Sequence, residues 1–341
     1  MKENDKNEYG TFPITINENY GDKIGDLQYK NFYNSLYEKV KLALLFITWY
    51  TLNVFYNVDN KKILNITKLP WTASCAQLFI GWIFISAYWG TGYKKIPKIF
   101  SYELFLKNII IQSICHNMVH FGAVISMSST SVSFTHVVKA CEPVFTAILS
   151  IVLLKHYLKF SKYVCLIIIV GGVICASVKE IHFTMFAFVC ALISNLGSSL
   201  RSIYAKKMMI NKSSIGENLT GSNIYAFITI FSALISLPFV LIFEGKQAYK
   251  FITEFETTQS NYTLNEVYIR LVLSGVWYYL NNEVAFMCLE RVNQVTHAVA
   301  NSLKRIVIIV SSIIIFKTQI TFLGAAGSAV TIIGAFLYSI I

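Results

Sequence analysis

Three basic residues stand inside apolar stretches of the chain, where a fixed charge is costly. Lys304 and Arg305 are adjacent residues of the apolar segment 295–317. Lys139 lies in a similar segment, 133–155. A lysine or arginine at the centre of a membrane-spanning helix costs about 2.5–3.5 kcal/mol on insertion scales, so such residues mark functional sites. The natural partner of this charge is an anion.

The three cations suit one kind of anion, a phosphate monoester. Arginine offers a planar fork to two phosphate oxygens, whereas lysine supplies a compact point charge. A phosphate monoester carries about −1.5 to −2 charges at pH 7. If the two segments face each other as equivalent parts of a repeated structure, Lys139, Lys304 and Arg305 meet in one cavity near the middle of the membrane.

Local charge pairing is the simpler explanation for these cations. Glu142 follows Lys139 by three residues, which is one helical turn, and Glu283 is available to Lys304 or Arg305. Two acids cannot neutralise three cations, so at least one positive charge is left over. This surplus favours a bound anion over internal pairing.

The two segments belong to an internal repeat. Each contains Thr-His-x-Val near its start, at 135–138 and at 296–299, and each ends on a lysine. A glycine-rich apolar segment follows each of them, and we expect its small residues to let the last helix of each half pack closely against its neighbours: Gly171, Gly172, Gly324, Gly327 and Gly334. Weak internal symmetry of this kind is typical of transporters whose binding site lies between two halves.

The composition indicates an integral membrane protein. Of the 341 residues, 55% are hydrophobic and only 14% are charged. Much of the net charge of +11 lies in loops between apolar segments, where it indicates membrane topology rather than nucleic-acid binding. None of the seven cysteines forms a C-x-x-C pair, so neither a disulfide framework nor a zinc site is indicated. We expect no cofactor and no metal.

Ten apolar windows are long enough to cross a membrane, which takes about 20 helical residues. We therefore expect an all-α membrane protein of ten transmembrane helices, five in each half. Residues 1–39 form a polar cytosolic tail, and 40–341 form a single transporter domain with halves of about 40–180 and 181–341. The windows are 41–58, 71–89, 104–127, 133–154, 163–178, 183–205, 223–243, 267–289, 295–316 and 321–340.

The loops predict the orientation. An even number of spans places both termini on one side, and the loops of that side hold the larger share of lysines and arginines. By the positive-inside rule both termini then lie in the cytosol. The tail has no signal-peptide core and is too acidic for a typical transit peptide, so we expect no cleavable leader. The longest polar loop is 244–266.

Three further polar residues lie within the predicted spans. Arg201 lies near the end of the sixth span, where it either reaches the cavity or turns to the membrane interface. His116 and His120 share a helix face at the spacing of metal ligands, but no third ligand is evident nearby. We expect His120 to hydrogen-bond in a polar cavity, with a satisfied core histidine as the alternative.

The sequence offers no constellation for catalysis. It has no Gly-x-Ser-x-Gly, no glycine-rich phosphate loop and no carboxylate pair inside a span. We therefore expect a transporter and not an enzyme. Outside transport, the alternatives are a membrane-embedded phosphate-ester enzyme and a purely structural bundle, which would leave three intramembrane cations without a ligand.

Four longer motifs are specific enough to compare with known families. They are SFTHVVKACEPVF, SNLGSSLRSIYAKK, YLNNEVAFMCLERVNQVTHAVANSLKRIVIIVSSIIIF and FITWYTLNVFYNVDNKKIL. Together they resemble the plastid sugar-phosphate/phosphate translocators, within the drug/metabolite transporter superfamily, over nearly all of 41–341. The resemblance implies ten helices in two inverted five-helix repeats. It also implies strict exchange of inorganic phosphate for phosphorylated compounds of three or more carbons.

The resemblance assigns roles to five residues. Lys139, Lys304 and Arg305 match the family's phosphate-binding cations. His120 matches a histidine typical of the triose-phosphate branch, where phosphoenolpyruvate carriers tend to have asparagine. Arg201 matches an arginine of the same site that can meet the carboxylate of 3-phosphoglycerate.

One position departs from the family pattern. Where the family usually has a tyrosine that touches the phosphate, this chain has Asn281. The amide of Asn281 is shorter but still able to donate a hydrogen bond. The neighbouring Tyr279 or a water is expected to substitute for the missing phenol.

These features predict an antiporter of phosphate against triose phosphate or 3-phosphoglycerate, with phosphoenolpyruvate as a further substrate, acting as a monomer or loose dimer. The alternatives are a phosphoenolpyruvate/phosphate carrier of broader range and a nucleotide-sugar transporter, which would not need two cations besides Lys139. The absence of an evident transit peptide and the composition rich in Asn, Lys and Ile resemble an apicomplexan relative. That resemblance predicts an outer membrane of the apicoplast.

Overall fold

The computed structural model describes residues 18–155, 157–178, 180, 183–255, 262–292 and 294–341. These residues form thirteen helices and two short strands. In chain order they are α1 (Glu18–Thr67), α2 (Pro70–Gly90), β1 (Lys98–Ile99), α3 (Tyr102–Ser129), α4 (Val132–Lys139), α5 (Glu142–Leu154), α6 (Phe160–Val178), α7 (Met185–Ile210), α8 (Lys212–Ile215), β2 (Gly216–Glu217), α9 (Gly221–Phe243), α10 (Gly245–Thr253), α11 (Leu264–Arg291), α12 (Gln294–Phe316) and α13 (Phe322–Ile340).

The helices confirm an all-α membrane protein. Within the described residues, eight helical stretches are long and apolar enough to cross a membrane, with α4 and α5 counted together as one. Helices α1 and α11 are long but fall short of the same apolar composition. A count of ten spans, and their arrangement as inverted repeats, therefore remain predictions.

The N-terminal part of the chain is helical where it is described. Residues 1–17 of the expected polar tail lie outside the described residues, and from Glu18 onward the tail belongs to α1. The contacts divide the chain into two units, 1–45 and 46–341. The site and all packing described below belong to the second unit.

Side chains and prolines fix where several helices begin. Thr184 and Thr220 each accept a hydrogen bond from the amide three residues on, at the starts of α7 and α9. Helix α2 begins with Pro70, and its first free amides donate to the carboxylate of Glu244, 3.1 Å and 2.7 Å away at Trp71 and Thr72. An acid at this end of a helix is also favoured by the helix dipole.

The predicted span 133–154 is broken in the middle. Helix α4 ends at Lys139 and α5 begins at Glu142, with Pro143 in its first turn. Proline has no amide hydrogen, and its ring collides with the carbonyl four residues back, which here belongs to Lys139. The break places Lys139 at a helix C-terminus and Glu142 at a helix N-terminus, the ends that favour a cation and an anion respectively.

Close helix packing depends on some of the predicted glycines. A Cβ on Gly172 of α6 would lie 2.6 Å from the amide nitrogen of Thr331 in α13, so only glycine fits there. A Cβ on Gly327 of α13 would lie 2.5 Å from the amide nitrogen of Ala176 in α6, and one on Gly334 would lie 2.9 Å from the Ile169 side chain. Gly171 faces open space, so the expectation that it packs closely is wrong.

Two connections differ from simple loops. The polar connection 244–266 contains α10, so the expectation of one long loop is wrong in its first part. Between α2 and α3, β1 pairs antiparallel with β2, which joins α8 to α9. The pairing ties together two loops at the same ends of the helices, those that follow α2 and α7.

Candidate substrate-binding site

The centre of the site is an ion pair between the two halves of the chain. The guanidinium of Arg305 on α12 contacts the carboxylate of Glu142 at the start of α5. Arg305 is only 7% exposed. The second oxygen of Glu142 accepts a hydrogen bond from the Ser198 hydroxyl on α7 at 2.6 Å. The broken helix therefore presents a half-buried carboxylate to a buried guanidinium.

The two lysines surround this pair without a carboxylate of their own. Lys139 donates to the hydroxyl of Ser194 on α7, with Nζ 2.5 Å from Oγ. The ammonium of Lys304 lies 4.5 Å from the ring centre of Trp49, a cation–π distance. Among the residues that the structure describes, neither lysine has an acid within 4 Å, although both lie close enough to Glu142 to interact with its charge.

The ion pairs expected from the sequence, Lys139 with Glu142 and Glu283 with Lys304 or Arg305, are not the ones that form. Lys139 does not pair with Glu142, because the helix is broken between them and Glu142 binds Arg305 instead. Glu283 does not reach Lys304 or Arg305 and instead pairs with Lys94 of the loop after α2. One acid therefore stands among three cations.

Arg201 and His120 belong to a second polar cluster on neighbouring helices. Arg201 Nη1 of α7 donates to His116 Nδ1 of α3 at 2.8 Å, and His116 Nε2 lies 2.8 Å from the hydroxyl of Tyr278 on α11. The His120 ring stacks on Tyr278 with ring centres 3.9 Å apart. Its Nε2 lies 3.2 Å from the Ser74 carbonyl, which only accepts, so Nε2 carries the proton.

Asn281 and Tyr279, the residues expected to take the place of the family tyrosine, both have other partners in the structure. Asn281 accepts from Asn53 Nδ2 at 2.9 Å and donates to the carbonyls of Trp277 and Tyr278. Its amide is therefore already occupied. The ring of Tyr279 stacks on Phe84 at 5.2 Å and is 1% exposed, in an aromatic cluster of the core.

Several residues of the site were missed from the sequence. Ser194 and Ser198 had a detectable signal, because with Arg201 they form a stripe at i, i+4 and i+7 on one face of the apolar helix α7. Trp49 and Tyr278 had none, since aromatic residues are ordinary in such spans. In the described part of the chain, no group of three residues is arranged to hold a metal ion.

The charges of this arrangement are suited to an anion. Three cations and one carboxylate leave two positive charges in surplus, in a region whose remaining polar groups are mainly hydroxyls and amides. A buried surplus of this size needs a negatively charged ligand with about two charges.

Comparison with known proteins identifies the family. The model of the Triose-phosphate Transporter family matches residues 40–339. The glucose-6-phosphate/phosphate translocator 1 of Arabidopsis thaliana chloroplasts is 37% identical over 303 residues, 89% of this chain and 75% of that protein. The chloroplast triose phosphate/phosphate translocator of Pisum sativum is 37% identical over 307 residues, 90% of this chain and 74% of that protein.

A third relative has a different named substrate. The phosphoenolpyruvate/phosphate translocator 1 of Arabidopsis thaliana chloroplasts is 33% identical over 302 residues, 88% of this chain and 71% of that protein. All three relatives are translocators, which confirms the expectation of a transporter rather than an enzyme. The relatives share phosphate and differ in the organic substrate. This chain belongs to the Triose-phosphate Transporter family.

Proposed function

We propose that the protein is an antiporter that exchanges inorganic phosphate for triose phosphate or 3-phosphoglycerate, with phosphoenolpyruvate as a further substrate. The observation that carries this proposal is the surplus of two positive charges around Glu142. A dianionic phosphate group matches that surplus. The relatives named above support phosphate as the shared substrate.

Strict exchange follows from the same charges. Glu142 neutralises Arg305, whereas among the described residues Lys139 has a hydroxyl and Lys304 an aromatic ring as its partner. Closing the cavity without a ligand leaves two like charges in a medium of low dielectric constant, where their repulsion is strong. Bound phosphate removes this penalty. Only the loaded carrier then moves between its inward-open and outward-open states at a useful rate.

The proposal also includes the topology, the orientation and the membrane of the exchanger. We propose ten spans in two inverted five-helix repeats, with the site between the halves. Both termini face the cytosol, as the distribution of lysine and arginine predicts. The relatives are chloroplast proteins, which supports a plastid membrane, and we propose the outer membrane of an apicoplast.

Uptake of labelled phosphate into proteoliposomes tests the proposal. The vesicles are preloaded with phosphate, dihydroxyacetone phosphate, phosphoenolpyruvate, glucose 6-phosphate or nothing. We expect uptake to require preloading and to be fastest with the three-carbon compounds. Equal uptake into empty vesicles contradicts strict exchange, and a preference for glucose 6-phosphate contradicts the proposed substrate class.

One substitution tests the site itself. Lys304→Ala should abolish phosphate exchange, because the change halves the charge surplus around Glu142. Lys162→Ala is a matched control, since Lys162 also lies over an aromatic ring, 5.0 Å from the centre of Tyr338, but at the start of α6. A Lys304→Ala carrier that exchanges phosphate at the rate of the unmodified protein would show that the site lies elsewhere.

A further inference from the structure

Arg201 is a membrane-embedded cation whose closest described polar partner is a neutral ring. Its guanidinium donates to His116 Nδ1 and lies 5.9 Å from the ring centre of Phe286. Among the described residues no carboxylate lies within ion-pair distance of it. A charge without a counter-ion inside an apolar spanning segment is costly, so Arg201 is held for an anionic group of a ligand.

The hydrogen bonds fix the tautomer of His116. An arginine nitrogen only donates, so His116 Nδ1 accepts from Arg201. A protonated histidine has no acceptor and would place a second positive charge beside Arg201. The ring is therefore neutral, and its single proton lies on Nε2, which donates to the hydroxyl of Tyr278 at 2.8 Å.

The hydrogen bonds run from Arg201 through His116 to Tyr278, and the hydroxyl of Tyr278 is the last donor. The oxygen of Tyr278 accepts from His116, so its own O–H proton stays available to an acceptor. The structure gives that proton no acceptor among the described residues. Tyr278 is fixed in place because its ring stacks on His120 and packs against Tyr56.

A second hydroxyl lies beside the same histidine. Tyr225 of α9 meets the His116 ring edge-on, with ring centres 5.8 Å apart. Tyr225 is fully buried, and its hydroxyl has no partner with hydrogen-bond geometry among the described residues. Leaving a buried hydroxyl without a hydrogen bond is unfavourable, and an acceptor on a ligand would remove that cost. Four helices, α3, α7, α9 and α11, thus bring one guanidinium and two hydroxyls around His116.

We propose that His116 is a positioning residue that sets how well the carrier accepts substrates with a second acidic group. In its Nε2-protonated tautomer, Nδ1 accepts a hydrogen bond from Arg201 and fixes the guanidinium. Nε2 donates to the Tyr278 oxygen, so the Tyr278 proton points away from His116. Two donors of fixed direction then face an acceptor such as a carboxylate, while the phosphate is held at Lys139, Lys304 and Arg305. This inference rests on the proposed function, and on Arg201 as the residue that meets the carboxylate.

The test compares two substrates that differ in the second acidic group. KM is measured for 3-phosphoglycerate and for dihydroxyacetone phosphate, each exchanged against phosphate, in the unmodified carrier and in His116→Ala. We expect the KM for 3-phosphoglycerate to rise about tenfold more than that for dihydroxyacetone phosphate, the effect of one lost hydrogen bond to a charged group. His116→Asn should restore most of the difference, because its amide oxygen replaces Nδ1 as the acceptor for Arg201.

Two further variants keep the test decisive. Tyr278→Phe removes the terminal donor with little change in volume and should also penalise 3-phosphoglycerate more than dihydroxyacetone phosphate, so it replaces His116→Ala if that variant does not fold. Gln112→Ala is the control, since Gln112 lies one turn earlier on α3 and contacts Met208 instead of Arg201. It should leave the ratio of the two KM values unchanged.

The outcomes separate this inference from the proposed function. If the unmodified carrier exchanges phosphate and triose phosphate but His116→Ala raises both KM values alike, His116 is structural and the inference is wrong. Failure of His116→Asn to restore the ratio, or a carrier that rejects 3-phosphoglycerate altogether, overturns it as well. An unmodified carrier that exchanges no phosphate overturns the proposed function and the inference together.

Discussion

The ion pair between Glu142 and Arg305 makes a quantitative prediction for Glu142→Gln. Glutamine keeps the size of the side chain and an oxygen able to accept from Arg305, so the substitution removes mainly the negative charge. Arg305 is 7% exposed and has no other carboxylate among the described residues. Removing one partner of a buried pair costs about 3–5 kcal/mol. Because the amide oxygen remains, we expect a loss at the lower end of that range, about 3 kcal/mol, in the free energy of unfolding.

Phosphate should stabilise Glu142→Gln against unfolding more than it stabilises the unmodified protein. In the unmodified carrier phosphate competes with the Glu142 carboxylate for Arg305, whereas in Glu142→Gln it competes with a neutral amide oxygen, which binds the guanidinium more weakly. We expect the Kd for phosphate to fall by about tenfold, equivalent to about 1.4 kcal/mol. The exchange rate should fall as well, since tighter binding slows release. Thermal unfolding with and without phosphate measures the first effect, and initial exchange rates measure the second.

Two serines supply the controls for this experiment. Ser198→Ala removes the hydrogen bond to Glu142 but keeps both charges, and should cost about 1.5–3 kcal/mol without tightening phosphate binding. Ser202→Ala, one turn further along α7, removes only a bond to a helix carbonyl and should be close to neutral. The reasoning is refuted if Glu142→Gln unfolds at the same temperature as the unmodified protein and phosphate stabilises both equally.

Two further predictions concern the fold. Glu244→Ala should lower the free energy of unfolding by about 1–3 kcal/mol, because two amides of α2 lose their acceptor. A chemical denaturation series measures this change. An unchanged denaturation midpoint would contradict the capping role of Glu244. Gly172→Val should cost about 1–3 kcal/mol by forcing α6 away from Thr331, whereas Gly171→Ala, which faces open space, should be neutral or slightly stabilising. Equal melting temperatures for these two glycine variants would contradict the packing.

The sequence alone predicts features that depend on residues close together in the chain, such as the helices and the cations within them. A bilayer requires about 20 apolar helical residues for each crossing, so hydropathy alone locates the helices to within a few residues at most boundaries. The cost of a charge in that setting is enough to single out Lys139, Lys304 and Arg305 from their sequence context. Pro143 carries the signal for the break between α4 and α5, although hydropathy predicts a continuous span there.

Only the tertiary structure decides which charges meet. Glu142 lies three residues from Lys139 but pairs with Arg305, 163 residues away, and Glu283 pairs with Lys94. The same is true of Tyr278, which contacts His116, whereas its neighbour Tyr279, the residue that the sequence favours, lies in the aromatic core. Spacing along one helix fixes which residues share a face. Which faces of different helices come together depends on the packing of the whole bundle, and no short stretch of sequence contains that information.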